Sequence, residues 1–369
     1  MSETTTKAAP PTTENCRFCW MCRHACPVGH VSHRETYTPH AWALTIESVR
    51  RGQLAWNDEA VSVLYACADC GLCQAHCATD QPLPDAIVSA REAVVDAGKA
   101  PAAVYAYVST MARPLLRSDG GRSQDRPLHS VAVGLFAGEH DSASIEAARR
   151  LLSAAGVREV TLIGSGSSTG AVAASVGLRD AAITCAQAVI AEVVDAGIAE
   201  LLVLTPGDRW TFEHVYPKRL GLLWPDGVAV REVTSVLASA LDGGTLHFRR
   251  AASASPYAYH DPCHTARIAR DDRGPRALLE AVYGQPGRMT FWRERRAHPC
   301  GATSGLDITH PEIAGKLAAS RFADASAAGA TMLITEDPSC LRQLRAHATS
   351  GVEVVGMYEL LAERIEPRN

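Results

Sequence analysis

Twelve cysteines stand in this 369-residue chain, and eight of them fall into two runs of identical spacing. Cys16, Cys19, Cys22 and Cys26 make the first, and Cys67, Cys70, Cys73 and Cys77 the second. Each run reads C-x-x-C-x-x-C-x-x-x-C. Thiolates at i, i+3 and i+6 can wrap one side of a cubane cluster on a tight turn, while the fourth thiolate reaches a neighbouring cluster. That rule gives Cys16, Cys19, Cys22 and Cys77 to one [4Fe–4S] cluster. It gives Cys67, Cys70, Cys73 and Cys26 to the other. Structural zinc also uses C-x-x-C pairs, and two zinc ions would satisfy eight thiolates. The third and fourth cysteines of each run, with Pro27 after the first, favour iron and sulfur. Trp20 and Met21 are expected to pack over a cluster and exclude water. His24, His30, His33, His40 and His76 lie close enough in sequence to tune such clusters by hydrogen bonding. Two adjacent clusters would conduct single electrons and need no substrate pocket.

The other four cysteines are dispersed. Cys185 sits in a helical apolar stretch and is expected in the core. Cys263 lies in YHDPCHTAR (259–267), Cys300 in HPCGATSG (298–305) and Cys340 in EDPSC (336–340). All three fall at expected strand ends or loops, where α/β folds place chemistry. They could hold a third cluster with Asp337, His264 or His298 as a fourth ligand, since nitrogen ligands occur in iron–sulfur centres. The alternative is three small buried residues with no ligand. HDPCH (260–264) is the one place where two histidines closely flank a cysteine. The turn GSGSSTG (164–170) lacks both G-x-G-x-x-G spacing and a phosphate-binding lysine, which argues against a nucleotide.

The elements that must position these groups change character along the chain. Residues 1–15 are polar and rich in Pro and Thr, without the basic and apolar regions of a signal peptide, and are expected to form a disordered arm. Segment 38–53 has Ala41, Leu44, Ile46 and Val49 at roughly helical spacing. Segment 83–101 reads as a helix with Pro84 and Asp85 at its start and Gly98 at its stop. Residues 112–130 read as a linker. Beyond them strands at 130–138, 159–166 and 199–208 alternate with helices at 144–156 and 180–197, which predicts parallel α/β layers. AGIAELLVLTPGD (196–208) aligns with AGATMLITEDPSC (328–340) and suggests two α/β repeats. The net charge of −4 gives no reason to expect nucleic acid. No apolar run is long enough to span a membrane.

The C-terminal loops resemble the cysteine-rich CCG domain of heterodisulfide reductase subunits, of the glycolate oxidase iron–sulfur subunit and of lactate-utilisation proteins. That pattern runs one Cys, then Cys-Cys-Gly, then C-x-x-C. Here Cys263, Pro299-Cys300-Gly301 and Asp337-Pro338-Ser339-Cys340 stand at those places, so two of five cysteines are replaced. The paired N-terminal runs resemble the helical ferredoxin domain of the same proteins. The resemblance implies an α+β multi-domain chain: a helical dicluster ferredoxin domain (16–110), a degenerate α/β repeat (130–245) and a CCG-like α/β repeat (255–365). It implies an electron-transfer subunit rather than an enzyme acting alone. Its partner would be a flavoprotein dehydrogenase oxidising a 2-hydroxyacid or an N-methylated amine, and its acceptor a quinone or an electron-transfer flavoprotein. A thiol or disulfide reductase acting at a third cluster is the alternative. A cytoplasmic location, peripheral to the membrane through partners, is expected.

Overall fold

In the computed structural model the described residues are 13, 16–111, 133–251, 255–264, 267, 273–348 and 351–366. The expected linker lies outside them, as does the expected arm apart from Thr13. The first part is helical: α1 (Pro27–Ser32), α2 (Pro39–Arg50), α3 (Asp58–Tyr65), α4 (Leu72–Ala75), α5 (Leu83–Asp96) and α6 (Ala102–Met111). Several of these begin for a local reason. Pro occupies the first turn of α1, α2 and α5, where its missing N–H costs nothing. Asn57 caps α3 by accepting from the Ala60 amide. Gly98, in the left-handed region, follows the end of α5.

The helix expected within 38–53 is present as α2. The helix buries Pro39, Trp42, Ala43 and Glu47, while Leu44 is about half exposed. Apolar residues lie on several sides of this helix, so periodicity alone does not choose between them. Trp42 decides the matter: its indole N–H donates to the Val63 carbonyl at 2.8 Å, deep against α3.

The rest alternates strand and helix. β1 (Val133–Phe136), α7 (Ser142–Ala154), β2 (Thr161–Ile163), α8 (Ala171–Ser175), α9 (Arg179–Ala196), β3 (Glu200–Val203), α10 (Pro206–Trp210), β4 (Ala229–Glu232) and α11 (Val233–Asp242) form one unit. Its parallel strands lie in the order β2-β1-β3-β4. A π-helical stretch, Thr211–Leu220, continues α10; Pro217 inside it has no N–H to give an α-helical ladder. β5 (Tyr257–Tyr259), α12 (Arg273–Tyr283), α13 (Leu306–Thr309), α14 (Pro311–Ala327), β6 (Met332–Thr335), α15 (Pro338–Ala346), β7 (Glu353–Gly356) and α16 (Met357–Ala362) form the other. Its sheet is also parallel, in the order β5-β6-β7. Two turns have the same form. Gly197 and Gly329 take left-handed conformations before β3 and β6. Thr205 and Asp337 then cap α10 and α15 through their side chains.

The two sheets share one apolar core, in which Leu135, Leu202 and Leu204 meet Tyr259, Ile334, Met357 and Leu361. A second core joins the helical part to the first sheet unit, with Leu64, Tyr65, Ile87 and Val94 against Ala173, Val176 and Val189. Gly177 lies at that joint. It has φ +89°, and a Cβ there would sit 2.5 Å from the Arg91 carbonyl carbon. Gly177→Ala is therefore expected to cost about 2–3 kcal/mol from strain and overlap. A urea unfolding midpoint unchanged from wild type would refute this close approach. No helix among the described residues is long and apolar enough to cross a membrane.

Candidate metal centres

The first cysteine run sits on a loop before α1. Phe18 and Trp20 adopt left-handed backbone there, φ 49° and 66°, a conformation that costs energy at non-glycine residues. A cavity of about 250 Å³ opens beside it. Cys16, Cys19 and Cys22 from this run line it, together with Cys77 and Cys73 from the second run. Cys19 is exposed. Trp20 and Met21 form part of the wall, yet each is more than half exposed, so they rim the opening rather than seal it. The Trp20 ring leans on His40 at 4.9 Å.

A second, smaller cavity is lined by Cys67, Cys70 and Cys73 of the second run and by Cys26 of the first. The fourth cysteine of each run thus faces the other run's cavity, and Cys73 touches both. Cys26 caps α1, taking the Gly29 amide on its sulfur at 3.4 Å, and the Asp69 amide donates to Cys67 Sγ at 3.3 Å. Such N–H···S contacts stabilise negative charge on sulfur. Burial acts the other way: it pushes the Cys67 thiol up to about 12 and the Cys26 and Cys73 thiols well above their usual range. These sulfurs would become thiolates only with a cation in the cavity.

Two buried cations hold this region against the first sheet unit. Arg219, from the π-helical stretch, grips Asp69 through two hydrogen bonds of 2.6 and 2.9 Å and Asp85 through one of 2.8 Å. Asp69 sits between Cys67 and Cys70, so this grip fixes the turn that aims both sulfurs. Arg91 is fully buried on α5. It donates to the carbonyls of Leu64, Cys67 and Ser175 and to Ser304 Oγ, and lies over the Tyr65 ring. Its charge stands beside Cys67 and counters the raised pKa there.

Three of the four dispersed cysteines come near one another in the second unit. Cys263 follows β5, Cys340 lies in the first turn of α15 after β6, and Cys300 lies in the loop before α13. All three are buried. Cys300 and Cys340 touch, Sγ to Sγ at 3.1 Å. Residues 257–345 match the family model of the cysteine-rich CCG domain. Over 153 residues, 41% of its length, the chain is 28% identical to one of the subunits of dihydromethanophenazine:CoB–CoM heterodisulfide reductase from Methanosarcina barkeri. Over 111 residues, 28% of its length, it is 28% identical to a probable glycolate oxidase iron–sulfur subunit of Bacillus subtilis. The matches span 37% and 24% of those two proteins, so the chain corresponds to a minority of each.

Within the CCG domain Asp337 and His298 are engaged elsewhere, while His264 lies beside Cys263. Asp337 Oδ1 accepts from the Ser339 and Cys340 amides as the cap of α15. His264 Nδ1 lies 3.8 Å from Cys263 Sγ. His298 stacks on Trp292 at 3.8 Å, and His30 of α1 packs edge-on against both rings. The residue that joins the thiols is His260, at the end of β5. Ligand atoms of His260, Cys300 and Cys340 all lie within 4.8 Å of one another. Burial pushes the His260 imidazole down to about 3, so the ring is neutral and one nitrogen keeps its lone pair. Cys263 stands close by and interacts electrostatically with Cys300, Cys340 and Cys70. Cys185 is half-buried on α9, rather than in the core as expected.

Proposed function

We propose that the chain is an iron–sulfur electron-transfer subunit with two [4Fe–4S] clusters in its helical part. One would be held by Cys16, Cys19, Cys22 and Cys77, the other by Cys67, Cys70, Cys73 and Cys26. The observation that carries this reading is the pair of adjacent cavities, each lined by one crossed set of four cysteines. Among the described residues neither set brings three sulfurs within 4.8 Å of one another, as His260, Cys300 and Cys340 do for their ligand atoms. Ligands of a single zinc lie about 3.8 Å apart, whereas a cubane spreads its thiolates over four iron corners. Bound there, the clusters would supply one-electron carriers a short hop apart.

The protein's own residues distinguish the two cavities. Exposed Cys19, with Trp20 and Met21 around it, offers the outer cavity to a partner. Buried Cys26 and Cys67 keep the inner one dry. The family resemblance supports a flavoprotein dehydrogenase as donor, acting on a 2-hydroxyacid or N-methylated amine, and a quinone or electron-transfer flavoprotein as acceptor. The alternative of a reductase acting on a thiol or disulfide substrate at Cys263, Cys300 and Cys340 fits poorly. These residues are 2%, 0% and 4% exposed, which leaves their sulfurs little surface for a substrate to reach.

Anaerobic reductive titration tests the relay. The full chain is expected to take up about two electrons, one per cluster, and return them to a soluble quinone analogue. Uptake of no electrons would reject the reading.

A further inference from the structure

The CCG domain is associated with iron–sulfur ligation, but the residues here do not fit a cluster. Three of the five motif cysteines remain. Two of them, Cys300 and Cys340, are 3.1 Å apart at sulfur, and all three mutually close ligand atoms, including one imidazole nitrogen, lie within 4.8 Å. A polynuclear cluster needs its ligands spread around it. A single tetrahedral ion needs them close: with Zn–S of about 2.3 Å and Zn–N of about 2.0 Å, ligand atoms sit roughly 3.4–3.8 Å from one another. We propose that His260, Cys300 and Cys340 bind one zinc ion, with Cys263 placed to close the coordination, and that this site is structural.

Three further observations support the assignment. Among the described residues His260 Nε2 is buried without a hydrogen-bond partner, on a residue 5% exposed. An orphaned buried nitrogen beside two thiols is costly unless it meets a ligand. The backbone already holds the donors in place. The His260 amide donates to Ile334 of the neighbouring strand at 2.8 Å, and Cys340 is fixed by the Asp337 cap. Gly301, next to Cys300, has φ +102° and packs so closely on α14 that a Cβ would lie 2.4 Å from the Ala314 carbonyl oxygen. With Cys263 as a third thiolate, a neutral imidazole and a divalent cation, the site carries one net negative charge, and the Arg267 guanidinium, which donates to the Cys263 carbonyl at 2.7 Å, stands beside it. A mixed set of thiolate and imidazole donors suits zinc, which takes Cys and His together in structural sites.

The consequence reaches the relay. Zinc has no redox chemistry. Electrons that reach the inner cavity would not pass on to the CCG domain, although Cys263 and Cys70 are near each other. The ion would instead tie β5, the Cys300 loop and α15 together, and the electrons would enter and leave through the helical part.

The test is metal analysis of the full chain, purified anaerobically, with iron and zinc counted separately. Wild type is expected to hold one zinc beside its iron. Zinc-edge X-ray absorption should show a mixed sulfur and nitrogen shell. His260→Ala and, independently, Cys300→Ser should lose the zinc and keep the iron and its visible absorption, which also shows that the variants fold. About twelve irons without zinc, one additional iron in place of zinc, or no metal beyond the iron of the helical part would each overturn the proposal. Loss of iron with zinc retained would instead count against the two N-terminal clusters, so the two readings fail separately.

Discussion

Arg91→Met protein is expected to unfold about 3–5 kcal/mol more easily than wild type, the largest stability loss foreseen for a residue outside the proposed metal sites. The Arg91 guanidinium is fully buried and donates to four acceptors on three parts of the chain: Leu64 and Cys67, Ser175, and Ser304. Methionine fills much of the volume but leaves all four oxygens without their donor. Each unsatisfied buried acceptor costs about 1–3 kcal/mol before relaxation and water entry reduce the sum. Against a typical total of about 5–15 kcal/mol this leaves a marginal fold. Arg91→Lys should rescue little, because an ammonium cannot reproduce the planar fork that reaches Leu64, Cys67 and Ser304 together. The check is a denaturant midpoint for each variant. A lysine variant as stable as wild type would show that charge beside Cys67, rather than the hydrogen-bonded fork, is what matters.

The second large effect concerns the inner cavity. Cys70→Ser should cut the iron content from about eight to about four per chain, because the remaining three sulfurs are at least half-buried and a serine oxygen is a poor iron ligand there. Electron uptake should fall from about two to about one, with the outer site still reducible. Cys77→Ser should produce the same loss at the other site, although Cys77 belongs to the second run by sequence. This crossing separates the proposed ligand sets from the simpler arrangement of one run per metal. If Cys77→Ser instead removed the signal of the site containing Cys67 and Cys70, the assignment would be wrong. Paramagnetic resonance on each variant makes the distinction, given that Cys19 is exposed and Cys26 and Cys67 are buried, so the two sites see different solvent.

The cysteine pattern was legible in the sequence because ligand spacing is a local property. Two identical runs announce themselves without any knowledge of the fold. The strands at 133–136, 161–163 and 200–203 were legible for the same reason, as apolar segments bounded by glycine and proline. What was not legible depends on long-range packing. Arg91 reads as an ordinary helix-surface cation, and its partner Ser304 lies 213 residues away. Asp69 finds Arg219 across 150 residues. The face of α2 is set by one indole reaching Val63, which no periodicity reveals. Proximity along the chain favours His264 and His298 over His260, because each lies nearer to a cysteine. Yet His264 turns toward Cys263 while His298 stacks on Trp292. The available signal was the place of His260 at the end of β5, the position from which parallel sheets present ligands.

The most direct test of the two-cluster account is an iron count on the full anaerobic chain joined to paramagnetic resonance of its dithionite-reduced form. The account predicts about eight irons and the spectrum of two neighbouring reduced [4Fe–4S] clusters that broaden each other's signals. Zinc filling both crossed cysteine sets, with no iron and no visible iron–sulfur absorption, would contradict it.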